Sequence, residues 1–246
     1  MAEGVRLILA SASPARLRTL RAAGLAPEVV VSGIDEALQT ADRVADLVAE
    51  LARRKAEAVS DRMRRHRRPT VIIGCDSMLE FNGRGYGKPE TADAAVERWQ
   101  MMSGRSGVLC TGHHVILREA DRTVARTAVA ATTVHFAQLS TAEIQAYVRT
   151  GEPLEVAGAF TIDGLGGAYV VGIEGDHHNV VGISLPLRVA SSVPSAFNGR
   201  ACGSAIEELL KARGSHSTAR LLDPRLRGKP PRGREVEPTV SRGSTS

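Results

Sequence analysis

The chain has few cysteines and no apolar run long enough to span a membrane, and both features limit the classes of protein to which it can belong. Its cysteines, Cys75, Cys110 and Cys202, are odd in number and lack a Cys-x-x-Cys spacing, which argues against a disulfide framework and a zinc site. No apolar run approaches the roughly 20 residues of a membrane-spanning helix. The run 7–15 is too short for a signal-peptide core. We expect a cytoplasmic protein without a membrane span.

Several catalytic signatures are also missing. The pairs His113-His114 and His177-His178 have no His-x-His or His-Glu-x-x-His spacing, and neighbouring side chains on a strand point to opposite faces. No helix pattern follows Gly164-Leu165-Gly166-Gly167, so this run is not a dinucleotide or phosphate-loop fingerprint; we interpret it as a turn that needs close backbone approach. There is no Gly-x-Ser-x-Gly elbow for a serine nucleophile.

Net positive charge is confined to the C-terminal end. The formal net charge is +5, and residues 212–246 hold eight basic and three acidic residues, which leaves 24 of each sign in residues 1–211. The neutral body is therefore not expected to bind nucleic acid. The Arg, Gly, Pro and Ser content of the C-terminal end cannot bury a core. We expect a folded domain over 1–212 and a basic disordered tail over 213–246.

The folded part alternates strand and helix patterns, which predicts the α/β class. Strands are expected over 5–10, 28–31, 70–81, 108–118, 123–136 and 180–183, with a hairpin turn at Asn82-Gly83 and a glycine-rich extended segment over 156–175. Helices are expected from Pro14, over 42–63, 91–102 and 140–150, from Leu185, and over 204–213.

The junction between the first strand and the first helix suits an anion. Ser13 is a good N-cap, and Pro14 suits the first helical position, where a missing N–H costs nothing. The helix N-terminus leaves N–H groups unpaired at the positive end of the dipole, near the Ser11 hydroxyl and the Arg16 guanidinium. The junction therefore predicts a phosphate site, with an ordinary strand–helix turn as the alternative.

Lysine is rare, since arginine outnumbers it by 28 to 4, and two lysines lie at unusual places. Lys55 falls on the apolar face of its helix, and Lys88 lies in a glycine turn that leads back toward Asp76. A compact ammonium binds phosphate as a point charge, which guanidinium does not fully replace. The alternative is a lysine whose stem covers apolar surface while its charge stays in water.

Carboxylates follow two of the predicted strands. Asp76 ends the strongest buried-strand pattern, and the carboxyl ends of strands border the ligand sites of open α/β sheets. Asp35 and Glu36 follow an earlier strand, and with Asp76 they could hold Mg²⁺ or Mn²⁺, which prefer oxygen ligands. The alternative for Asp76 is a cap of the following turn.

Together, these motifs resemble the Maf family of nucleoside triphosphate pyrophosphatases over roughly residues 5–190. The first blocks are Leu-Ala-Ser-Ala-Ser-Pro-Ala-Arg at 9–16, Ile-Asp-Glu at 34–36, Leu-Ala-Arg-Arg-Lys-Ala at 51–56, Gly-Cys-Asp-Ser at 74–77 and Gly-Lys-Pro at 87–89. The later blocks are Leu-Ser-Thr-Ala-Glu-Ile-Gln-Ala-Tyr-Val at 139–148, Gly-Glu-Pro at 151–153, Ala-Gly-Ala-Phe-Thr-Ile-Asp-Gly at 157–164 and Asn-Val-Val-Gly-Ile at 179–183. The ordered set is specific although each block alone is weak.

The resemblance implies an elongated, twisted mixed β-sheet flanked by helices, in two lobes with a central cleft, as in inosine triphosphate pyrophosphatases. It implies hydrolysis of a nucleoside triphosphate to the monophosphate and pyrophosphate with a divalent metal. The catalytic carboxylate that acts on water matches Asp76, which would share the metal with Glu36. The other matching positions, which would hold phosphates, are Ser11, Arg16, Lys55 and Lys88, beside the Ser13 cap. A homodimer is a further expectation.

Three positions depart from the family's pattern. Members resembling the dTTP/UTP type carry arginine, threonine and glutamine where this chain has Ala15, Ser77 and Asp163. An ionised Asp163 only accepts hydrogen bonds, which would favour a base with an exocyclic amine, such as cytosine or guanine. The alternative function is a nucleotide-sensing regulator or nucleic-acid-binding protein that acts through the basic tail, for example in cell division.

Overall fold

The computed structural model describes residues 5–36, 41–63, 68–119 and 122–186, which form one mixed β-sheet flanked by helices. The strands are β1 (Arg6–Leu9), β2 (Glu28–Val29), β3 (Thr70–Phe81), β4 (Arg84–Tyr86), β5 (Ser106–Glu119), β6 (Arg122–Phe136) and β7 (Val170–Glu174). The helices are α1 (Pro14–Ala22), α2 (Val44–Arg62), α3 (Ala92–Met102), α4 (Thr141–Arg149) and α5 (His177–Val181). The predicted tail and the predicted helix over 204–213 lie outside the described residues.

The sheet leaves a gap along one edge of β3, its central strand. The strand order is β2-β1-β3-β5-β6-β7, with β1 parallel to both of its neighbours and the other pairs antiparallel. On one edge β3 pairs with β5 over nearly its whole length. On the other edge β1 covers β3 as far as Ile73, and β4 covers it from Leu79 onward. Within the described ranges, residues 74–78 of β3 therefore have no strand beside them on that edge.

The hydrophobic core is likewise divided into clusters, one on the β1 side of the gap and one on the β4 side. On the β1 side, buried Ile8, Ile72 and Ile116 pack with residues of α2. On the β4 side, a larger cluster surrounds Trp99, whose ring makes edge contacts with Phe136 and other aromatic rings. The predicted mixed sheet flanked by helices is confirmed, and the two core clusters lie on opposite sides of the gap.

Helix α2 lies directly on the central strands because two glycines make room for it. A Cβ at Gly74 would overlap the Ala52 carbonyl oxygen, and a Cβ at Gly112 would overlap the Val48 carbonyl oxygen. These glycines are one strand apart, in β3 and β5. Close packing of α2 at this level brings the residues of its middle turns next to the gap.

Most predicted elements are present, but two predictions near the C-terminus are wrong. Residues 177–181 form α5 rather than a strand over 180–183, because Asp176 caps this short helix and Gly182 ends it at a φ of 123°. The segment 156–175 is extended only in β7, since 3₁₀ turns occupy much of 152–169. The helix expected from Leu185 falls mostly outside the described residues, and 185–186 are not helical.

Candidate active site

Asp76 lies in the gap of β3, with its side chain on the α2 face of the sheet. Side chains alternate along a strand, so Gly74 and Asp76 face α2, whereas Cys75 and Ser77 face the other side. Accordingly, Cys75 packs with Leu9 and Leu20 of the β1–α1 layer. The site thus draws on both faces of one strand, where neither β1 nor β4 covers it.

Lys55 of α2 reaches Asp76 in the buried part of this gap. Its Nζ lies 2.6 Å from Asp76 Oδ1, and both side chains are more than nine-tenths buried. Burial raises the pKa of Asp76 above its ordinary value, although the positive charges of Lys55 and Arg16 oppose the rise. The out-of-pattern lysine predicted from the sequence is therefore a buried partner of the predicted catalytic carboxylate, and not a surface cation.

Arg16 enters the gap from the opposite face and is held on several sides. Its Nη1 donates to the Cys75 carbonyl at 3.0 Å and to Ser11 Oγ at 2.9 Å. Its Nε donates to the Gly182 carbonyl at 2.7 Å, and its Nη2 donates to Ser77 Oγ at 2.9 Å. Four of its five N–H groups are thus used inside the protein. Arg16 joins α1, β3 and the end of α5, which leaves little of its fork for a ligand.

The β1–α1 junction is built as predicted. Ser13 caps α1 by accepting from the Arg16 N–H, Pro14 is the first helical residue, and the Ser13 N–H donates to Ser11 Oγ at 3.2 Å. Ala15, in the first turn, has no polar side-chain group to offer. The predicted phosphate role of Ser11 and Ser13 has the helix N-terminus beside it, but both hydroxyls already accept hydrogen bonds.

Glu36 belongs to the same cluster through Lys55. Its Oε1 lies 2.8 Å from Lys55 Nζ, so the two carboxylates converge on one ammonium. Two carboxylates and one ammonium carry a net charge of −1, and their free acceptors are oxygens, the ligands that Mg²⁺ and Mn²⁺ prefer. Within the described ranges no three His, Cys, Asp or Glu side chains gather as a metal centre. Two carboxylates are too few to fill the coordination sphere of Mg²⁺ or Mn²⁺, so an ion held here would take its other ligands from substrate phosphates and water.

A polar chain behind Ser77 was missed by sequence reasoning. Arg16 donates to Ser77, Ser77 and Thr111 hydroxyls are 2.9 Å apart, and Thr111 donates to the Asn179 carbonyl at 3.3 Å. The Asn179 side chain is fully buried and donates to the Leu109 carbonyl and Thr132 Oγ1. The signal is the single asparagine before the apolar run 180–183, for which the sequence predicts a strand.

His113, on β5, is a second buried polar group near this chain. Its Nε2 accepts from the Ser184 N–H at 2.9 Å, which requires the neutral ring. Burial lowers the pKa of His113 to about 4, and the charge of Arg16 acts in the same direction. His113 therefore holds the segment after α5 as an uncharged acceptor.

Two other predicted site residues lie on turns and have separate partners. Strand β4 runs back along β3 as predicted, since Tyr86 pairs with Leu79, but Lys88 Nζ forms its ion pair with Glu155, at 3.6 Å, and not with Asp76. Asp163 lies in the turn before a 3₁₀ segment, and its Oδ2 is 3.3 Å from Arg18 Nη2 of α1. Both pairs are largely exposed.

Within the described residues no helix combines the length and apolar character needed to cross a membrane.

Cys75 and Cys110 are free and buried, whereas Cys202 lies outside the described residues.

Comparison with known proteins gives an independent finding. A family model described as Maf-like protein matches residues 6–191. A protein of Salinispora tropica named nucleoside triphosphate pyrophosphatase is 58% identical over 184 residues, which cover 74% of this chain and 80% of that one. A protein of the same name from Streptomyces coelicolor is 51% identical over 182 residues, covering 74% and 86%. The Ham1 protein structure of Staphylococcus aureus aligns with a TM-score of 0.32 and 15% identity over 54% of this chain and 72% of that one, which is too low to bear on the fold.

Proposed function

The chain belongs to the Maf family and is a nucleoside triphosphate pyrophosphatase, and we propose that it cleaves its substrate in the gap around Asp76. The reaction is hydrolysis to a nucleoside monophosphate and pyrophosphate. The matched region contains every site residue predicted from the sequence. The observation that carries the proposal is the convergence of Asp76, Glu36 and Lys55 in the uncovered part of β3.

In this proposal Asp76 is the general base. It accepts a proton from the water whose oxygen bonds to the α-phosphorus, while the bond from that phosphorus to the departing pyrophosphate breaks. A raised pKa makes the carboxylate a stronger proton acceptor at neutral pH. The Lys55 ammonium favours the ionised form of the base in spite of its burial, because it compensates part of the desolvation cost that raises the pKa of Asp76.

The phosphates are assigned to groups around the base. The N–H groups at the start of α1, with Ser11 and Ser13, would receive oxygens of the triphosphate, and Lys88 would add a positive charge from its turn. Arg16 is assigned mainly to holding α1 against β3, since most of its donors are used within the protein.

Glu36 and Asp76 would hold a divalent cation, Mg²⁺ or Mn²⁺. Such an ion, when bound, neutralises phosphate charge and polarises the phosphorus–oxygen bonds. Lys55 limits the repulsion between the two carboxylates, because its ammonium contacts an oxygen of each.

The reaction is tested by assaying a panel of nucleotides with Mg²⁺ and with Mn²⁺, scored for pyrophosphate against orthophosphate. Replacing Asp76→Asn removes the proton acceptor and is expected to lower kcat by about 10²- to 10⁴-fold. The matched control is Asp93→Asn, at an exposed position in the first turn of α3, which should keep the native rate. Orthophosphate as the first product, or native turnover by the Asp76 variant, would refute the proposal.

Asp163 is proposed to set the base preference. Its carboxylate accepts hydrogen bonds, so a base with an exocyclic amine should be preferred at this position. Ser77 is a weaker candidate for this role because Arg16 and Thr111 already engage its hydroxyl. A panel in which UTP and dTTP clearly outrun CTP and GTP would refute the assignment.

The regulatory alternative, with the basic tail as the working part, is not favoured by the relatives, whose shared name is that of an enzyme. Deleting residues 214–246 should leave pyrophosphate release intact. Loss of pyrophosphate release on this deletion would instead support the regulatory alternative. Cytoplasmic location, a homodimer and the absence of nucleic-acid binding by the body stay predictions.

A further inference from the structure

We propose that Glu152 is the positioning residue for base choice, because its carboxylate fixes the loop that carries Asp163. This inference rests on the proposed role of Asp163. The loop, residues 161–166, is called the Asp163 loop below. Glu152 lies at the start of a 3₁₀ turn after α4, nine residues before the loop begins.

One carboxylate receives hydrogen bonds from both ends of the Asp163 loop. Its Oε1 accepts from Thr161 Oγ1 at 2.5 Å and from the Gly166 N–H at 2.9 Å. Its Oε2 accepts from the Leu165 N–H at 2.9 Å. These partners flank Asp163 on either side, so the loop is tied to Glu152 before and after the residue assigned to the base.

The backbone of the loop approaches Glu152 and its neighbour so closely that side chains are excluded. A Cβ at Gly164 would lie 2.5 Å from Glu152 Oε2, and a Cβ at Gly166 would overlap the Tyr147 hydroxyl oxygen. Tyr147 in turn donates to Glu152 Oε1 at 2.9 Å. The glycines predicted from the sequence to need close approach thus fit around this carboxylate, which packs against the loop as well as bonding to it.

The charge of Glu152 suits this task. Burial opposes its ionisation, but hydrogen bonds from Thr161, Leu165, Gly166 and Tyr147 outweigh that cost and lower its pKa. An ionised carboxylate accepts on both oxygens and donates from neither. A glutamine here would turn an N–H group toward either the Leu165 N–H or the other donors, so one end of the loop would lose its anchor.

The loop has little else to fix it toward the rest of the site. Asp163 reaches α1 through its ion pair with Arg18, which lies three residues after Ala15 and so on the same side of the helix. That pair is exposed, with 67% of the Arg18 side chain accessible, and exposed ion pairs contribute little free energy. The distance of Asp163 from α1 is therefore set mainly by the bonds that the two ends of the loop make with Glu152 and Tyr147.

The test compares Glu152→Gln with Glu97→Gln, which makes the same chemical change at an exposed position of α3. For Glu152→Gln we expect a KM about fivefold higher for the preferred nucleotides, with kcat within about twofold of native and a reduced preference among CTP, GTP, UTP and dTTP. The Glu97 variant should match the native protein. In a background of Asp163→Asn, the Glu152 change should have no further effect on KM, because it acts through Asp163.

A second measurement does not depend on turnover. Amide hydrogen exchange at Leu165 and Gly166 should be faster in Glu152→Gln than in the native protein, and unchanged in the Glu97 variant. If Glu152→Gln does not fold, Tyr147→Phe removes one bond to the carboxylate and the hydroxyl that accepts from the Thr161 N–H at 3.4 Å, while keeping its ring packing, and should move KM and exchange the same way.

The outcomes separate this inference from the proposed function. A native protein that releases no pyrophosphate would overturn the function itself, and unchanged exchange at Leu165 and Gly166 would overturn the anchoring alone. Equal losses of kcat/KM for every nucleotide, or effects of Glu152 and Asp163 that multiply in the double variant, would show a structural role for Glu152 without influence on base choice. An Asp163→Asn variant with native selectivity would also overturn the inference.

Discussion

The predicted site has two parts that are built in different ways. The inner part consists of Asp76, Lys55, Arg16 and Ser11, which lie on one strand, two helices and a capped junction and are all buried. The outer part consists of Lys88 and Asp163, each of which lies on a turn. Lys88 forms an exposed ion pair with Glu155, and Asp163 forms one with Arg18. The buried groups thus lie on regular elements or at the start of one, whereas the exposed groups lie on loops.

The difference in burial sets the expected energies. Removing one partner of a buried ion pair leaves an uncompensated charge in a medium of low dielectric, which costs about 3–5 kcal/mol. Exposed pairs are screened by water and salt and contribute about 0–1 kcal/mol. Substitutions in the inner part should therefore have larger effects than substitutions in the outer part.

The largest effect is expected for Lys55→Met. Asp76 and Glu36 would lose their shared ammonium, and the pKa of Asp76 would rise further, so kcat/KM should fall at least about a hundredfold at neutral pH. The acid limb of the pH–rate profile should move to higher pH. Arg53→Met on the same helix is the control, because Arg53 pairs with Glu50 and Glu57 at the surface and should leave the rate near native.

A Lys55 variant with near-native kcat/KM and an unchanged pH profile would contradict this prediction, since it would show that the positive charge needed for catalysis lies on another residue. Rescue by Lys55→Arg is expected to be partial, because the guanidinium is larger and its fork cannot replace a single ammonium between two carboxylates.

The next effect is on stability, through the glycines beneath α2. Gly112→Ala would force a Cβ onto the Val48 carbonyl oxygen, so α2 must move away or the strand must shift, at a cost of about 2–3 kcal/mol. Chemical denaturation should show a lower midpoint, and the surviving folded protein should turn over more slowly because Lys55 moves with α2. At Gly87, where a Cβ meets nothing within 4 Å, the same change should leave the midpoint near native.

The inner part could be predicted from the sequence because its signals are local. The cap at Ser13, the buried-strand pattern that ends at Asp76 and the lysine on an apolar face are each recognisable within one element. Thr111, Asn179, Arg18 and Glu152 could not be found in this way. Their roles come from contacts between distant segments, such as the 145 residues that separate Arg18 from Asp163, and no pattern within one segment encodes such a contact.

The wrong predictions have the same origin. The run Val180–Ile183 has strand composition, but Asp176 and Gly182 close a helical turn around Asn179, whose side chain is buried against β5 and β6. In the loop before β7 the glycines were recognised as a close approach, yet the carboxylate that they approach lies in another block of the sequence. In both segments the structure is determined by tertiary contacts.

Lowering the pH is expected to have an intermediate effect, because protonation of His113 lowers the free energy of unfolding. Its pKa is about 4 in the folded protein and about 6.5 in the unfolded chain, so the unfolded state binds more protons between these values. The stability due to the neutral ring is complete above pH 6.5 and is lost as pH falls through 4, with a loss of about 2 kcal/mol by pH 5.

The measurement is the difference in unfolding free energy between pH 7 and pH 5. His113→Gln keeps an acceptor for Ser184 but does not titrate there, so the difference should narrow. It should not vanish, because burial also lowers the pKa of His114. His177→Gln, at an exposed position, is the control and should keep the native difference. An unchanged difference in the His113 variant would mean that His113 is not held neutral.

The smallest effect is expected for Lys88→Gln, in the outer part. An exposed ammonium that contacts phosphate should change KM by about tenfold or less and leave kcat nearly unchanged, and the native KM should rise with salt more than that of the variant. Glu155→Gln is the matched change, because it removes the carboxylate that competes for Lys88 and should lower KM. A fall in kcat as large as that of Lys55→Met would instead assign Lys88 to the inner part, and exposure would then be a poor guide to which groups carry the chemistry.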